Sequence, residues 1–228
     1  MPIPFKRHSR LDYWLSKPGA KLKNGCVLRP DFVTLWVDVP EPEKRTSGDD
    51  IGVDIGVDRL LVTSEGDILD DGQHKQICQK TARKKPGSKA RKRAFDHRNN
   101  HIGEVVNRLP WGRLKTIVVE KLTDMKRGKK KGRGKSFRKA LSPWRYRQVL
   151  TRIEQKAQEY GVLLVAVDPR NTSRECPACG TVSKENRKGA VFNCVSCGHS
   201  DNADKVGATN ILRRYLFGSV RSLSPGCV

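Results

Sequence analysis

Two Cys-x-x-Cys pairs constrain this chain more than any other feature. Cys176 and Cys179 are followed, after fourteen intervening residues, by Cys194 and Cys197. Each pair is closed by a glycine, Gly180 or Gly198, which lets the backbone bend so that its N–H groups face the sulfurs. Two such turns aim four thiolates at one point, the ligand set of a closed tetrahedral zinc site. Four unrelated thiols or disulfides are the alternative, and the paired spacing argues against them. The second pair leads into Asp201-Asn202-Ala203-Asp204 and then an apolar helix. A metal-stapled hairpin therefore delivers a carboxylate to a fixed place.

The 228 residues carry 46 Lys+Arg against 24 Asp+Glu, a formal charge of +22. A surface so basic attracts a polyanion, with nucleic acid as the first candidate. The longest apolar stretch, Val162 to Val167, makes a strand and is far too short to span a bilayer. No apolar leader is visible at the N-terminus, so a cytoplasmic, nucleoid-associated protein without a membrane partner is expected. Cys26, Cys78 and Cys227 stand singly and read as ordinary reduced thiols.

Along the chain, residues 1–24 show no periodicity. Cys26–Leu28 and Phe32–Val39 alternate around Arg29-Pro30-Asp31 and predict a β-hairpin, followed by a linker from Pro40 to Asp49. Three short runs, 50–57, 59–64 and 67–70, predict an antiparallel meander. Residues 75–93 are strongly basic. From Ser88 a helical stripe of Phe95, Ile102, Val105, Val106 and Leu109 runs to Pro110. Thr116–Glu120 reads as a buried strand. Met125–Ala140, with nine basic residues and three glycines, reads as a loop. A helix is predicted from Ser142-Pro143 to Gly161, a strand over 162–167, and a last helix over 203–217, with a loose tail. The order β-β-β-α-β-α-β-(ribbon)-α fits an α/β fold with an RNase H-like mixed sheet.

Three acids sit where such a sheet would gather them. Asp54 lies inside an apolar strand, where an unpartnered carboxylate is costly. The flanking Gly52 and Gly56 suggest room for a bulky ligand to approach the backbone. Glu120 ends the TIVVE strand, and Asp204 opens the last helix. Converging carboxylates are hard ligands suited to Mg²⁺ or Mn²⁺. Bland readings stand beside each: Asp204 as the acidic end of a capping box begun by Asp201, and Glu120 as a surface acid paired with Lys121. Asp58, Asp67, Asp70, Asp71 and Asp124 read as turn or surface acids. The basic residues expected to hold nucleic acid are Lys84, Lys85, Arg91, Lys92, Arg93, Lys129, Lys130, Lys131, Arg133 and Arg174.

The stretches GVDIGVDRLLVTSEG, IVVEKL and TSRECPACG…NRKGAVFNCVSCG…DNADKVGATNI resemble the three RuvC motifs and inserted zinc finger of TnpB (OrfB-type) transposon proteins. These are relatives of type V CRISPR effector nucleases. The resemblance runs from about residue 25 to 217. By motif it makes Asp54 the first RuvC aspartate and Glu120 the RuvC glutamate. Asp204 is the last, because the family's D-x-N-A-A-x-N-I reads here D-K-V-G-A-T-N-I. The resemblance implies four segments. Residues 1–48 are a partial β-barrel or wedge-like segment with linker, and 49–170 a RuvC-like core. Residues 171–200 are a zinc ribbon that contacts target nucleic acid, and 201–228 the last motif, helix and tail.

The implied activity is RNA-guided, Mg²⁺- or Mn²⁺-dependent cleavage of DNA by a two-metal mechanism, with a transposon-end guide RNA. Only 53 residues precede Asp54, with no room for the family's helical recognition lobe. A homodimer or a second subunit is the expectation for what would supply it. Two other readings remain open: a truncated, non-cleaving RNA- or DNA-binding accessory or regulator of transposition, and a ribosome-bound zinc-ribbon protein.

Overall fold

The computed structural model describes residues 6–121, 146–218 and 221–222. The chain forms two compact units, one ending at Glu43 and one beginning at Lys44. In the first, helix α1 (Ser9–Leu15) starts after His8, whose ring nitrogen accepts the Arg10 amide at 3.0 Å. The sequence shows no periodicity here, and α1 buries no residue that could have created one. Strands β1 (Lys21–Leu28) and β2 (Val33–Asp38) form the predicted antiparallel hairpin, with a register irregularity between Leu22 and Cys26.

The second unit is built on a five-stranded mixed sheet of β3 (Asp49–Asp54), β4 (Val62–Thr63), β5 (Leu114–Glu120), β6 (Leu163–Val167) and β10 (Arg221–Ser222). Its order is β10-β6-β5-β3-β4. The three central strands are parallel, and β4 and β10 are antiparallel edges. The predicted meander is shorter than expected. Its third run reduces to one bridge, Val62 to Ile68. The reason is local: the Asp67 amide donates to the Thr63 hydroxyl, while the Asp67 carbonyl accepts the Thr63 amide and the Thr63 carbonyl accepts the Gly66 amide, closing a tight turn in place of a ladder. The tail expected to be loose adds β10 to the sheet edge.

Alternation along the strands sorts the two faces. Ile51 and Val53 of β3, with Ile117 and Val119 of β5, pack into the main core. There they meet Ile102, Val105 and Val106 of helix α3 (Lys89–Asn107) and Val149, Leu150 and Ile153 of helix α4 (Tyr146–Tyr160). The predicted start of α4 at Ser142-Pro143 lies outside the described residues. Val118 and Val165 face the other way, against Ile211 and Leu212 of helix α5 (Ala203–Phe217).

Helix α2 (Gln73–Ala82) lies within what composition marks only as a basic run. It pairs with α3 around a buried polar cluster. The Asp70 carboxylate accepts the His74 amide at 3.2 Å and contacts His101 Nε2 at 2.9 Å, and His74 Nε2 lies 3.4 Å from Cys78 Sγ. Asp70 is therefore a buried structural acid and not a surface one. Burial outweighs the Asp70 carboxylate and lowers the His74 pKa to about 4. No helix among the described residues is long and apolar enough to cross a membrane.

Candidate functional site

Asp54 and Glu120 end adjacent parallel strands. Gly52 pairs with Val118 and Val53 with Val119, so one further step sets Asp54 beside Glu120. Both belong to the sheet face that α5 covers. A β-carbon on Gly52 would lie 2.1 Å from the Ala208 carbonyl oxygen and 2.8 Å from the Leu212 amide. The glycine thus makes room for the helix and not, as its sequence context suggests, for a ligand. Gly56 serves a turn, where a β-carbon would meet the Arg59 carbonyl at 2.7 Å. Two residues along the strand from Gly52, Asp54 reaches the same helix: a β-carbon on Gly207 would stand 3.2 Å from Asp54 Oδ2.

Asp204 lies in the first turn of α5, but it does not cap it. Asn202 is the N-cap, accepting the Asp204 amide at 3.0 Å and the Lys205 amide at 3.4 Å, while Asp201 pairs with Lys205 at 2.9 Å. The Asp204 side chain turns to two guanidiniums instead. Arg187 Nη2 donates to Oδ1 at 2.8 Å, and Arg59 Nη1 stands 3.5 Å from Oδ2. The Glu120 carboxylate accepts a short hydrogen bond from the Thr172 hydroxyl, and its backbone carbonyl accepts one from Tyr146.

Two of the carboxylates act on the third. The pKa of Asp54 is raised from 3.8 to about 7, first by burial and then by the charges of Glu120 and Asp204, with Arg187 opposing. Burial also raises Glu120, against the Thr172 hydrogen bond and the charges of Arg214 and Arg187. Among the described residues, only the four cysteines form a group of metal-ligating side chains whose donor atoms all lie within 4.8 Å. The acids stand wider than that, with guanidiniums placed beside one of them.

The cysteines gather as their spacing requires. Cys176 and Cys197 Sγ are 3.7 Å apart, and Cys179 and Cys194 Sγ are 3.6 Å apart. Both knuckles fold alike: the Gly180 amide donates to the Cys176 carbonyl at 2.9 Å and the Gly198 amide to the Cys194 carbonyl at 3.0 Å. Both glycines have positive φ, 76° and 74°. The ribbon strands β7 (Arg187–Lys188), β8 (Val191–Asn193) and β9 (Ser200–Asn202) form an antiparallel sheet. Phe192 is buried there among Cys176, Cys194, Ala203 and Val206, so the ribbon shares a core with the start of α5. Asn186, also buried, braces it by donating to the Arg174 and Thr181 carbonyls and accepting the Val195 amide.

Of the predicted basic residues, Lys84 and Lys85 are exposed between α2 and α3, Lys92 and Arg93 are exposed on the first turn of α3, and Arg174 is exposed before the first knuckle. Arg91 is half-buried, donates to the Lys84 carbonyl at 2.8 Å and lies over the Phe95 ring. Lys129, Lys130, Lys131 and Arg133 lie outside the described residues. Sequence reasoning missed Arg59, Thr172 and Arg187. Arg187 carries a faint signal, as a cation on a ribbon strand shortly before the acid it meets.

The profile of the Cas12f1-like TNB domain family matches residues 146–211. The CRISPR-associated endodeoxyribonuclease Cas12f1 of Sulfoacidibacillus thermotolerans is 37% identical over 97 residues, 42% of this chain and 21% of that protein. A TnpB-like protein of Methanocaldococcus jannaschii is 31% identical over 107 residues, 46% of this chain and 38% of that protein. The chain thus spans well under half the length of these relatives. In fold it is similar to a CRISPR-Cas12f ternary complex chain, at TM-score 0.52 and 24% identity, covering 84% of this chain and 43% of that one. A Cas12f1 chain in complex with single-guide RNA and target DNA gives TM-score 0.51 at 24% identity, covering 79% and 54%. With the matched profile, the mixed α/β sheet and the four-cysteine ribbon in hand, the chain is similar in sequence to Cas12f1 and TnpB-like proteins and in fold to Cas12f chains.

Proposed function

We propose that this chain is the nuclease part of an RNA-guided, metal-dependent DNA endonuclease of the transposon-associated kind. The observation that carries the reading is Asp54. It is a buried carboxylate whose proton affinity is raised jointly by Glu120 and Asp204, from two other motifs. Asp54 and Glu120 on the sheet, with Asp204 at the start of the helix that covers it, form a hard-oxygen donor set whose crowding at Asp54 a divalent cation would relieve. Asp54, Glu120 and Asp204 would hold Mg²⁺ or Mn²⁺. When bound, two such ions supply an attacking hydroxide and stabilise the departing 3′ oxygen of a phosphodiester. The chain's own residues bind and orient: Thr172 holds the Glu120 carboxylate, and Arg187 balances negative charge at Asp204.

The ribbon fits zinc. A four-thiolate tetrahedron with Zn–S of about 2.3 Å has edges of about 3.8 Å, and the Cys179–Cys194 and Cys176–Cys197 sulfur separations are 3.6 and 3.7 Å. DNA and guide RNA are the proposed partners, in keeping with the net charge of +22 and with relatives solved in complex with guide RNA and target DNA. Lys84, Lys85, Arg91, Lys92, Arg93 and Arg174 are the proposed contacts in the described part, and a second copy of the chain or a second subunit is a further proposed partner.

The test is cleavage of target DNA by the purified protein with its co-purified RNA and Mg²⁺. Asp54→Ala should abolish cutting, and a variant that cuts as well as the parent would remove the assignment. A second reading, nucleic-acid binding without cleavage, is favoured by one observation: Arg187 and Arg59 flank both oxygens of Asp204. It predicts RNA and DNA binding with no cutting by the parent chain in any divalent metal.

A further inference from the structure

The chain separates Glu120 and Asp204 by more than eighty residues, yet one face of α5 reaches the surroundings of both. Asp204, Gly207, Asn210 and Arg214 follow at intervals of three, three and four, one side of a helix. The first supplies a carboxylate and the second lies against Asp54. Asn210 is 2% exposed, and its amide nitrogen donates to the Thr172 carbonyl at 2.8 Å and the Glu175 carbonyl at 2.7 Å. Arg214 donates to the Asp168 and Arg170 carbonyls and pairs with Glu175 at 3.1 Å. Both residues therefore grip the connection between β6 and the ribbon, in which Asn171 adopts φ 63°.

That connection carries Thr172. Its hydroxyl has one proton and two acceptors in reach, Glu120 Oε1 and the Pro169 carbonyl at 3.1 Å. A carboxylate is the stronger acceptor, so the bond to Glu120 prevails. Asn210 Oδ1 meanwhile is buried without a hydrogen-bond partner among the described residues. A buried, unsatisfied acceptor is a cost that an apolar side chain of the same size would avoid. What the amide gains in return is its two donated bonds.

We propose that Asn210 is a positioning residue for Glu120, acting through the Thr172 hydroxyl, so that one helix face sets all three acids. This rests on the nuclease reading above. The test uses the full chain with its ribbon metal bound, and follows Mn²⁺ affinity by calorimetry beside cleavage. Thr172→Val and Asn210→Leu should each weaken Mn²⁺ binding about 10-fold, the lower end for losing a residue that orients a ligand. Thr172→Ser, which keeps the hydroxyl, should stay within about twofold of the parent. The double variant should be no weaker than the worse single, because Asn210 works through Thr172.

Multiplying effects in the double variant, or unchanged Mn²⁺ binding in both singles while Glu120→Gln loses it, would overturn the inference alone. Equal Mn²⁺ binding by Glu120→Gln and the parent would overturn the nuclease reading and the inference together. Should Asn210→Leu fail to fold, judged by melting and ribbon metal content, the contrast of Thr172→Val with Thr172→Ser decides: equal affinities overturn the inference.

Discussion

The α-carbon of Gly52 faces the carbonyl oxygen of Ala208 so closely that a β-carbon would lie 2.1 Å from it. Backbone packs on backbone at this point, which fixes the separation of α5 from the sheet. Asp54, two residues further on, inherits that separation. Asp54 reaches α5 because the residue two before it has no side chain.

Gly52→Ala should therefore cost on the order of 3 kcal/mol, the upper part of the range for overpacking a filled site. Chemical denaturation measures it, and a loss below about 0.5 kcal/mol, the size expected of a neutral surface change, would contradict the packing.

The raised Asp54 pKa gives a pH dependence with a definite sign. Between its ordinary 3.8 and about 7, the folded chain holds a proton that the unfolded chain has released. Metal-free stability should fall as pH rises through that window and level off above it. Divalent binding needs the ionised form, so Mn²⁺ affinity should climb towards pH 7 and then flatten. Asp54→Asn should abolish the Asp54 part of both trends, read from melting curves and binding isotherms across pH 5–8.

Stripping the ribbon metal, or changing Cys176 to Ser, should reach beyond the ribbon. Phe192 shares its core with Ala203 and Val206, so the first turn of α5 should loosen with the thiolate site. Faster amide exchange at residues 203–206 is the expected readout. Exchange unchanged from the metal-bound chain would show that the shared core holds without the metal.

Nucleic-acid binding should depend steeply on salt. If Lys84, Lys85 and Lys92 each neutralise a phosphate, replacing all three by Gln should reduce the slope of log affinity against log salt by about 2 to 3. An unchanged slope would place this part of the α2–α3 arm away from the backbone of the bound strand.

The parts legible in the sequence were those written in short-range pattern. The cysteine spacing, the apolar strands and the stripe of Ile102, Val105 and Val106 each announce themselves within about twenty residues. Helix α2 did not, because its buried face is polar: His74, Cys78 and Thr81 are inside with Ile77. The edge strand β10 is two residues long and carries no period. At the acids, place in the strands and at the helix start singled out Asp54, Glu120 and Asp204, and the motif resemblance agreed. Their cationic and hydroxylic neighbours come from elsewhere in the chain, Arg187 from a ribbon strand and Thr172 from a turn. No local pattern joins residues 52 positions apart.

Arg187 belongs to the ribbon, yet its charge falls on all three acids, holding Asp204 of α5 and opposing the rise of Asp54 and Glu120 on the sheet. The ribbon is thus no interchangeable cassette. A graft with faultless thiolate spacing but a neutral residue at that strand position would fold, take up its metal and still leave the acids across from it a different charge to live with.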